Sequence, residues 1–316
     1  MRRGLQVLLV LLIAATSIIL AAPAAAELKI AVNVTTIESF PVFMAVEAMN
    51  GVELESTPNG RVAMSQLVSG AVDAATGSET QVLLNATAEP RLRILVTLAE
   101  CRYRIVARRS AGINRVADLR GKKVAATLNT SSQYLLSGML RKAKLQTSDV
   151  QVIPLEGPDM PAALRNRTVD AVAIWEPHAQ NSLEALGSDF VVFEDADVYT
   201  ERFNLNTRSD VLTNPTKRAA LVRFLREVDI ASNKLKGRPA NLMSALAPRV
   251  GLRPETVAAV WPQFRFPHSL TPDLRKTMSE VEAWAAALQT RKAFSPDQLS
   301  GLIDASVLTE ASAAPH

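Results

Sequence analysis

Between residues 27 and 193 the chain alternates short apolar runs with stretches whose apolar positions recur at helical spacing. Residues 28–32, 52–54, 72–75 and 94–98 read as strands, with helices predicted over 40–49, 61–68 and 80–88. Such alternation predicts a mainly parallel sheet with helices on both faces. The pattern restarts after Arg109: 123–126, 150–155, 170–175 and 190–193 predict strands, and 129–142 and 160–165 predict helices. Each α/β unit is too small to be the whole protein, so two lobes follow. Beyond Asn214-Pro215 the texture turns helical. Leu221, Phe224, Leu225 and Val228 form one apolar stripe, with Asn214 as cap and Pro215 in the first turn. Leu274, Met278, Val281, Trp284 and Leu288 form a second stripe, and both are expected to pack as core. The small, polar tail after about Leu308 is expected to fray.

The first 26 residues stand apart from this pattern. Arg2 and Arg3 precede an apolar run, and Ala24-Ala25-Ala26 offers a small-x-small cleavage signal, the three-part pattern of a secretory leader. No cysteine follows that run, so free export to a periplasm is expected rather than a lipid anchor. Removing Arg2 and Arg3 lowers the formal charge from +4 to +2. A chain so near neutrality has no electrostatic case for nucleic acid, whose phosphates need many basic groups. Cys101 is the only cysteine and excludes an internal disulfide. His178, His268 and His316 are scattered, which gives a metal site no support.

Candidate chemistry lies in loops that leave the carboxyl ends of strands, where open parallel sheets bind ligands. One such loop runs from Asn33 to Ser39 and includes Thr36 and Glu38; a second is Gly77-Ser78-Glu79-Thr80; a third is Asn129-Thr130-Ser131-Ser132. Each ends at a helix start, where unpaired backbone N–H groups and hydroxyls hold anions. Any one of them reads equally well as ordinary capping. Three of them on two facing units point to a shared site. A fourth segment, Trp175-Glu176-Pro177-His178, ends a buried strand with an indole able to form a flat wall and an acid beside it.

Several of these segments carry a resemblance. Leu67-Val68-Ser69-Gly70-Ala71-Val72-Asp73-Ala74-Ala75, then Val116-Ala117-Asp118-Leu119-Arg120-Gly121-Lys122-Lys123-Val124, then 162–171 followed by Trp175-Glu176-Pro177, resemble in order the substrate-binding proteins of nitrate, sulfonate and taurine ABC transporters and their thiamine-precursor-binding relatives. The similarity runs from about Leu28 to Ala313. Two departures stand out: the stretch 47–51 is shorter than the family's, and Arg167 occupies a position where glycine is common. The resemblance implies an α/β, two-lobed periplasmic-binding-protein fold of type II. Lobe I would comprise 27–106 plus 206–316 and lobe II 107–205, joined by two crossing strands near 101–106 and 203–208. Ligand-binding residues carried over from the family are Thr36, Ser39, Gly77, Ser78, Glu79, Thr80, Asn129, Thr130, Ser131, Ser132, Trp175 and Glu176.

The implied function is hinge closure on a small polar or anionic nutrient, an aliphatic sulfonate or taurine-like molecule first, by the periplasmic component of an ABC importer. A thiamine-precursor pyrimidine, nitrate, or a role as an exported ligand sensor are the alternatives. Glu79 and Glu176 on opposite walls hint at an amine on the ligand, and Arg102 and Arg104 share a face that is expected to line the hinge. The expected partner is a permease at the inner membrane, met by a monomer, with no cofactor. No Ser-His-Asp or paired-carboxylate spacing argues for catalysis, and Cys101 falls on a crossing segment. A regulator of the same lobed fold needs a DNA-reading helix-turn-helix, where this chain has its leader instead.

Overall fold

The computed structural model describes residues 27–237 and 239–313; the leader expected over 1–26 lies outside them. Eleven strands form two sheets. The first sheet contains β1 (Leu28–Asn33), β2 (Val52–Thr57), β3 (Ala74–Ser78), β4 (Leu92–Arg102), β10 (Thr200–Arg208) and β11 (Phe264–Arg265), in the spatial order β11-β4-β10-β3-β1-β2. The second contains β5 (Arg104–Arg108), β6 (Lys123–Ala126), β7 (Gln151–Pro154), β8 (Ala171–Ile174) and β9 (Phe190–Phe193), in the order β7-β6-β8-β5-β9.

Each sheet is parallel on one side and antiparallel on the other. β1 pairs parallel with β2 and β3, and β6 pairs parallel with β7 and β8. The strands that carry the chain between lobes run against them, β10 beside β3 and β4, and β5 beside β8 and β9. The parallel trios hold the strand-helix units that the sequence pattern shows; the antiparallel neighbours are long-range pairings it does not. Sheet membership sets the crossings at Tyr103 and within 194–199, so Arg104 to Val106 pair in the second sheet and Thr200 to Leu205 in the first.

Helices follow the parallel strands: α1 (Phe40–Ala48), α2 (Gly60–Val68) and α3 (Glu79–Asn85) in the first lobe, α4 (Ser131–Lys142), α5 (Met160–Arg165) and α6 (His178–Leu186) in the second. The helix Pro215–Lys236 starts as expected, with Asn214 Oδ1 accepting the Lys217 N–H at 3.1 Å and Pro215 in its first turn. It packs Leu221, Phe224, Leu225 and Val228 into one apolar core with Phe40, Ile30 and Trp261. A second core runs from Met64 and Leu67 through Tyr103 and Tyr134 into Val172 and Ile174, so it is continuous between the lobes. The helix Pro272–Leu288 buries Leu274, Met278 and Val281 and sets Trp284 against Tyr134 at 5.5 Å, while Leu288 is exposed.

Two expectations are corrected here. The tail does not fray after Leu308: the helix Ser306–Ala313 buries Val307 and Ala311, four residues apart, and Arg218 holds Glu310 at 3.0 Å. The strand expected over 72–75 lies later, at Ala74–Ser78, because its pairing with β10 reaches to Ser78. Arg167 adopts φ +60°, the left-handed region, which is the physical reason glycine suits that position.

Candidate ligand-binding cleft

Strand ends and helix starts of both lobes meet around one cavity with about 340 Å³ of unfilled space, part of it open to solvent. On the first lobe, Asn33 ends β1 and accepts the Thr35 N–H at 3.0 Å, which turns the chain into the short helical turn Ile37–Ser39 that presents Glu38. Asn59 caps α2, its Oδ1 accepting the Val62 N–H at 3.0 Å. The start of α2 can sit down on β3 because two glycines meet there. A Cβ on Gly60 would lie 3.3 Å from Gly77 Cα, so even a methyl group there would need the two backbones to part by a few tenths of an ångström. Ser78, Gln81, Glu201 and Phe203 complete this wall. The second lobe supplies Thr130 and Ser131 at the start of α4, with Trp175 after β8, and Tyr103 stands at the first crossing.

Polar side chains join the lobes directly. Ser131 Oγ lies within hydrogen-bond reach of Ser78 Oγ at 3.0 Å, Thr80 Oγ1 at 3.2 Å and Glu201 Oε1 at 3.3 Å, and its one proton serves one of them at a time. Gln81 Nε2 donates to the Asn129 carbonyl at 2.8 Å, and Asn59 Nδ2 and Arg61 Nη2 donate to the Glu156 carboxylate at 3.1 and 2.7 Å. Trp175 lies among aromatic rings, 5.9 Å from Tyr103, and its Nε1 has no partner.

The twelve residues expected at the site therefore divide. Ser78, Thr130, Ser131 and Trp175 line the cavity. Thr80 and Asn129 make cross-lobe contacts just behind the wall. The others are held in the framework. Ser39 Oγ donates to the Asn33 carbonyl at 2.6 Å, and Ser132 Oγ to the Ala173 carbonyl at 2.6 Å. Gly77 belongs to β3, under α2. Thr36 donates to Glu38 from beneath it. Glu79 accepts the Tyr199 hydroxyl at 2.7 Å and the Arg202 N–H at 2.9 Å. Glu176 is fully buried against Arg104 and accepts the Gln180 N–H at 3.1 Å. Arg104 is thus committed to Glu176, and Arg102 faces outward toward Glu194 at 3.6 Å, so neither lines the hinge side of the cavity.

Sequence reasoning left out Asn59, Gly60, Arg61, Gln81, Tyr103, Glu201 and Phe203, and passed over Asn33 and Glu38 within a loop it had marked. Asn59 and Gly60 follow a strand and open a helix, the same rule that found the other loops. Glu201 and Phe203 alternate on one face of β10, a signal that means nothing until its neighbours are known.

The electrostatics are unusual for a cleft of this size. Burial raises the Glu38 carboxyl above its usual range, with the Glu176 charge adding to the effect. Burial, then the charge of Glu38, pushes Glu201 well above it. Glu79 is raised to about 7, by burial first and the Glu201 charge second. Glu176 is raised by burial and pulled back by Arg104. The Cys101 thiol is buried and pushed well up, by desolvation and then by Glu38, Glu176 and Glu201, so it is no ready nucleophile.

Two α/β lobes joined by crossing strands, with helix starts converging on the gap, define a periplasmic-binding-protein fold. The chain belongs to the NMT1/THI5-like family, whose pattern matches residues 48–239. A protein of Escherichia coli (strain K12) named for binding aliphatic sulfonates is 32% identical over 190 residues, which cover 60% of this chain and 56% of that relative. The chain thus spans about half the length of the curated relative it matches. The alkanesulfonate-binding protein SsuA of Xanthomonas axonopodis pv. citri, solved bound to MOPS, superposes with TM-score 0.71 at 19% identity, covering 90% of this chain and 99% of that one. The desulfurization enzyme DSZB shares the fold as well, with TM-score 0.65 at 16% identity over 90% of this chain and 98% of its own.

Proposed function

We propose that this protein is the periplasmic solute-binding component of an ABC importer, which closes its two lobes, divided at Tyr103 and within 194–199, on one small polar molecule and delivers it, as a monomer, to a permease at the inner membrane. One observation carries the reading: the Ser131 hydroxyl of the second lobe meets Ser78 and Thr80 of the first across a polar, aromatic-walled cavity. Contacts made only in the closed form let a ligand that bridges them shift the hinge toward closure. The relatives matched by sequence are binding proteins, and the Cys101 thiol, buried and pushed well up, is poorly suited as a nucleophile.

The names of the relatives support an organic sulfonate as ligand. The starts of α2 and α4 offer N–H groups to a sulfonate, while Glu38 and Glu201 suit a donor at its other end. An aminosulfonate of taurine type answers both demands. A thiamine-precursor pyrimidine is a second reading, favoured by Tyr103, Trp175 and Phe203, aromatic side chains in the same wall as the acids. Nitrate fits less well, because Arg61 is already engaged by Glu156 and the remaining charges in the wall are negative.

A thermal-shift screen of the exported protein against taurine, alkanesulfonates, aminopyrimidines and nitrate tests the proposal. A ligand at a hundredfold its Kd adds about 2.7 kcal/mol of stability. No shift from any of them removes the whole ligand class and the receptor reading with it.

A further inference from the structure

We propose that the ligand of this cleft must present a cationic nitrogen, an ammonium or amidinium group, to the buried carboxyls of Glu38 and Glu201. The inference rests on the receptor reading and names the ligand's obligatory group. Glu38 and Glu201 are 2% and 3% exposed, yet both front the same cavity, and the charge of Glu38 is among the causes that raise Glu201. One oxygen of each is satisfied: Glu38 Oε2 by the Thr36 hydroxyl, and Glu201 Oε1 by Tyr103 at 2.7 Å and Ser131 at 3.3 Å. Glu38 Oε1 and Glu201 Oε2 are buried with no hydrogen-bond partner among the described residues, and so is Trp175 Nε1 in the same wall. Buried polar atoms are ordinarily paired, so three orphans around one cavity describe the missing molecule.

No protein cation among the described residues is left to serve the pair. Arg104 is taken by Glu176, Arg61 by Glu156, and Arg202 by Glu100 at 3.2 Å. The other titratable neighbours are the raised thiol of Cys101, the raised phenol of Tyr103, and Glu79, which is tied to Tyr199. All of these are neutral or acidic. Two buried carboxyls fronting one cavity cannot both ionise in such surroundings, so the empty pair keeps one proton and one negative charge. A ligand ammonium takes the proton's place: the pair releases its proton to solvent, both carboxylates become charged and each accepts an N–H from the cation, while the net charge of the site stays the same. No bond within the ligand is broken.

Calorimetry of the exported protein with matched probes tests this. Taurine is compared with isethionate, in which a hydroxyl replaces the ammonium, and benzamidine with benzamide, which lacks the amidinium charge. Each is titrated between roughly pH 6 and 8 in two buffers of unlike ionisation enthalpy, and the linkage fixes the expected proton count. The nitrogen cation of one pair is expected to bind at least about 100-fold tighter than its partner. It should release close to one proton per ligand, with affinity rising up to about tenfold per pH unit until the pair is deprotonated. The pair that responds tells whether the nitrogen sits on an aliphatic sulfonate or on a flat aromatic frame. Glu201→Gln and, independently, Glu38→Gln are each expected to abolish the proton release, a readout that a purely structural role would leave unchanged. Isethionate or benzamide binding as tightly as its nitrogen analogue, or binding without proton release, overturns the inference and leaves the receptor reading standing. Silence from all four probes removes both.

Discussion

Glu176 and the pair Glu38–Glu201 are near neighbours, equally hidden from water and all raised by burial, and they differ in what answers them. Glu176 meets a guanidinium from the adjacent strand β5 and a backbone N–H from the first turn of α6. Its charge is answered within the protein, and it helps fix the end of β8 that carries Trp175. Glu38 and Glu201 receive hydroxyl donors and no cation among the described residues, and each keeps one buried oxygen without a partner there. The difference teaches that burial alone does not separate a framework acid from a binding one. The counter-charge does, and where the protein omits it, the ligand is the remaining source.

The largest effect is expected on the framework side. Arg104→Met leaves Glu176 buried and unpaired, which is expected to cost about 3–5 kcal/mol in urea denaturation. Combining it with Glu176→Gln should recover most of that loss. A cost below about 1 kcal/mol would erase the distinction between the two acid sites.

Stability against pH sharpens the other side. Glu38, Glu201 and Glu79 all stand above their unfolded range, so the folded chain keeps protons that the unfolded chain has released. Stability from these acids is therefore expected to fall as pH rises from about 5 through about 7, where Glu79 titrates, a fall opposed below about 6.5 by His178 and His268, which burial lowers to about 4. Glu79 alone contributes roughly 3 kcal/mol to that fall at about 1.4 kcal/mol per unit. The acids held low, such as Glu89 beside Arg91, lose their contribution only on the acid side of this window. Glu201→Gln should flatten the slope in thermal melts across this range. A slope identical to that of the unsubstituted protein would show that the pair holds no proton. The smallest effect belongs to the cavity rim, where Arg61→Ala breaks a solvated pair with Glu156 and is expected to cost at most about 1 kcal/mol.

The contrast also marks how far the sequence could be read. Strand and helix periods placed β6, β9 and α5 at their observed bounds, because each is a local pattern between clear turns. Helix starts found Ser78, Thr130 and Ser131, since capping hydroxyls announce themselves in the chain. Glu38 and Glu201 are 163 positions apart, and their meeting depends on β10 running back through the middle of the first sheet, a pairing no local period encodes. The aromatic wall divides the same way: Trp175 was legible as a strand end, whereas Phe203 becomes a wall residue only because the crossing strands pass beside the cleft. The C-terminal helix was legible in principle, for Val307 and Ala311 have helical spacing, but its small residues masked the stripe.

Small-angle X-ray scattering of the exported protein, empty and then saturated with whichever probe binds in calorimetry, tests most directly whether the two lobes close on a ligand between them. The radius of gyration and the maximum dimension are expected to fall together on saturation. Superimposable scattering curves, with binding shown by calorimetry on the same sample, would contradict closure of the cleft.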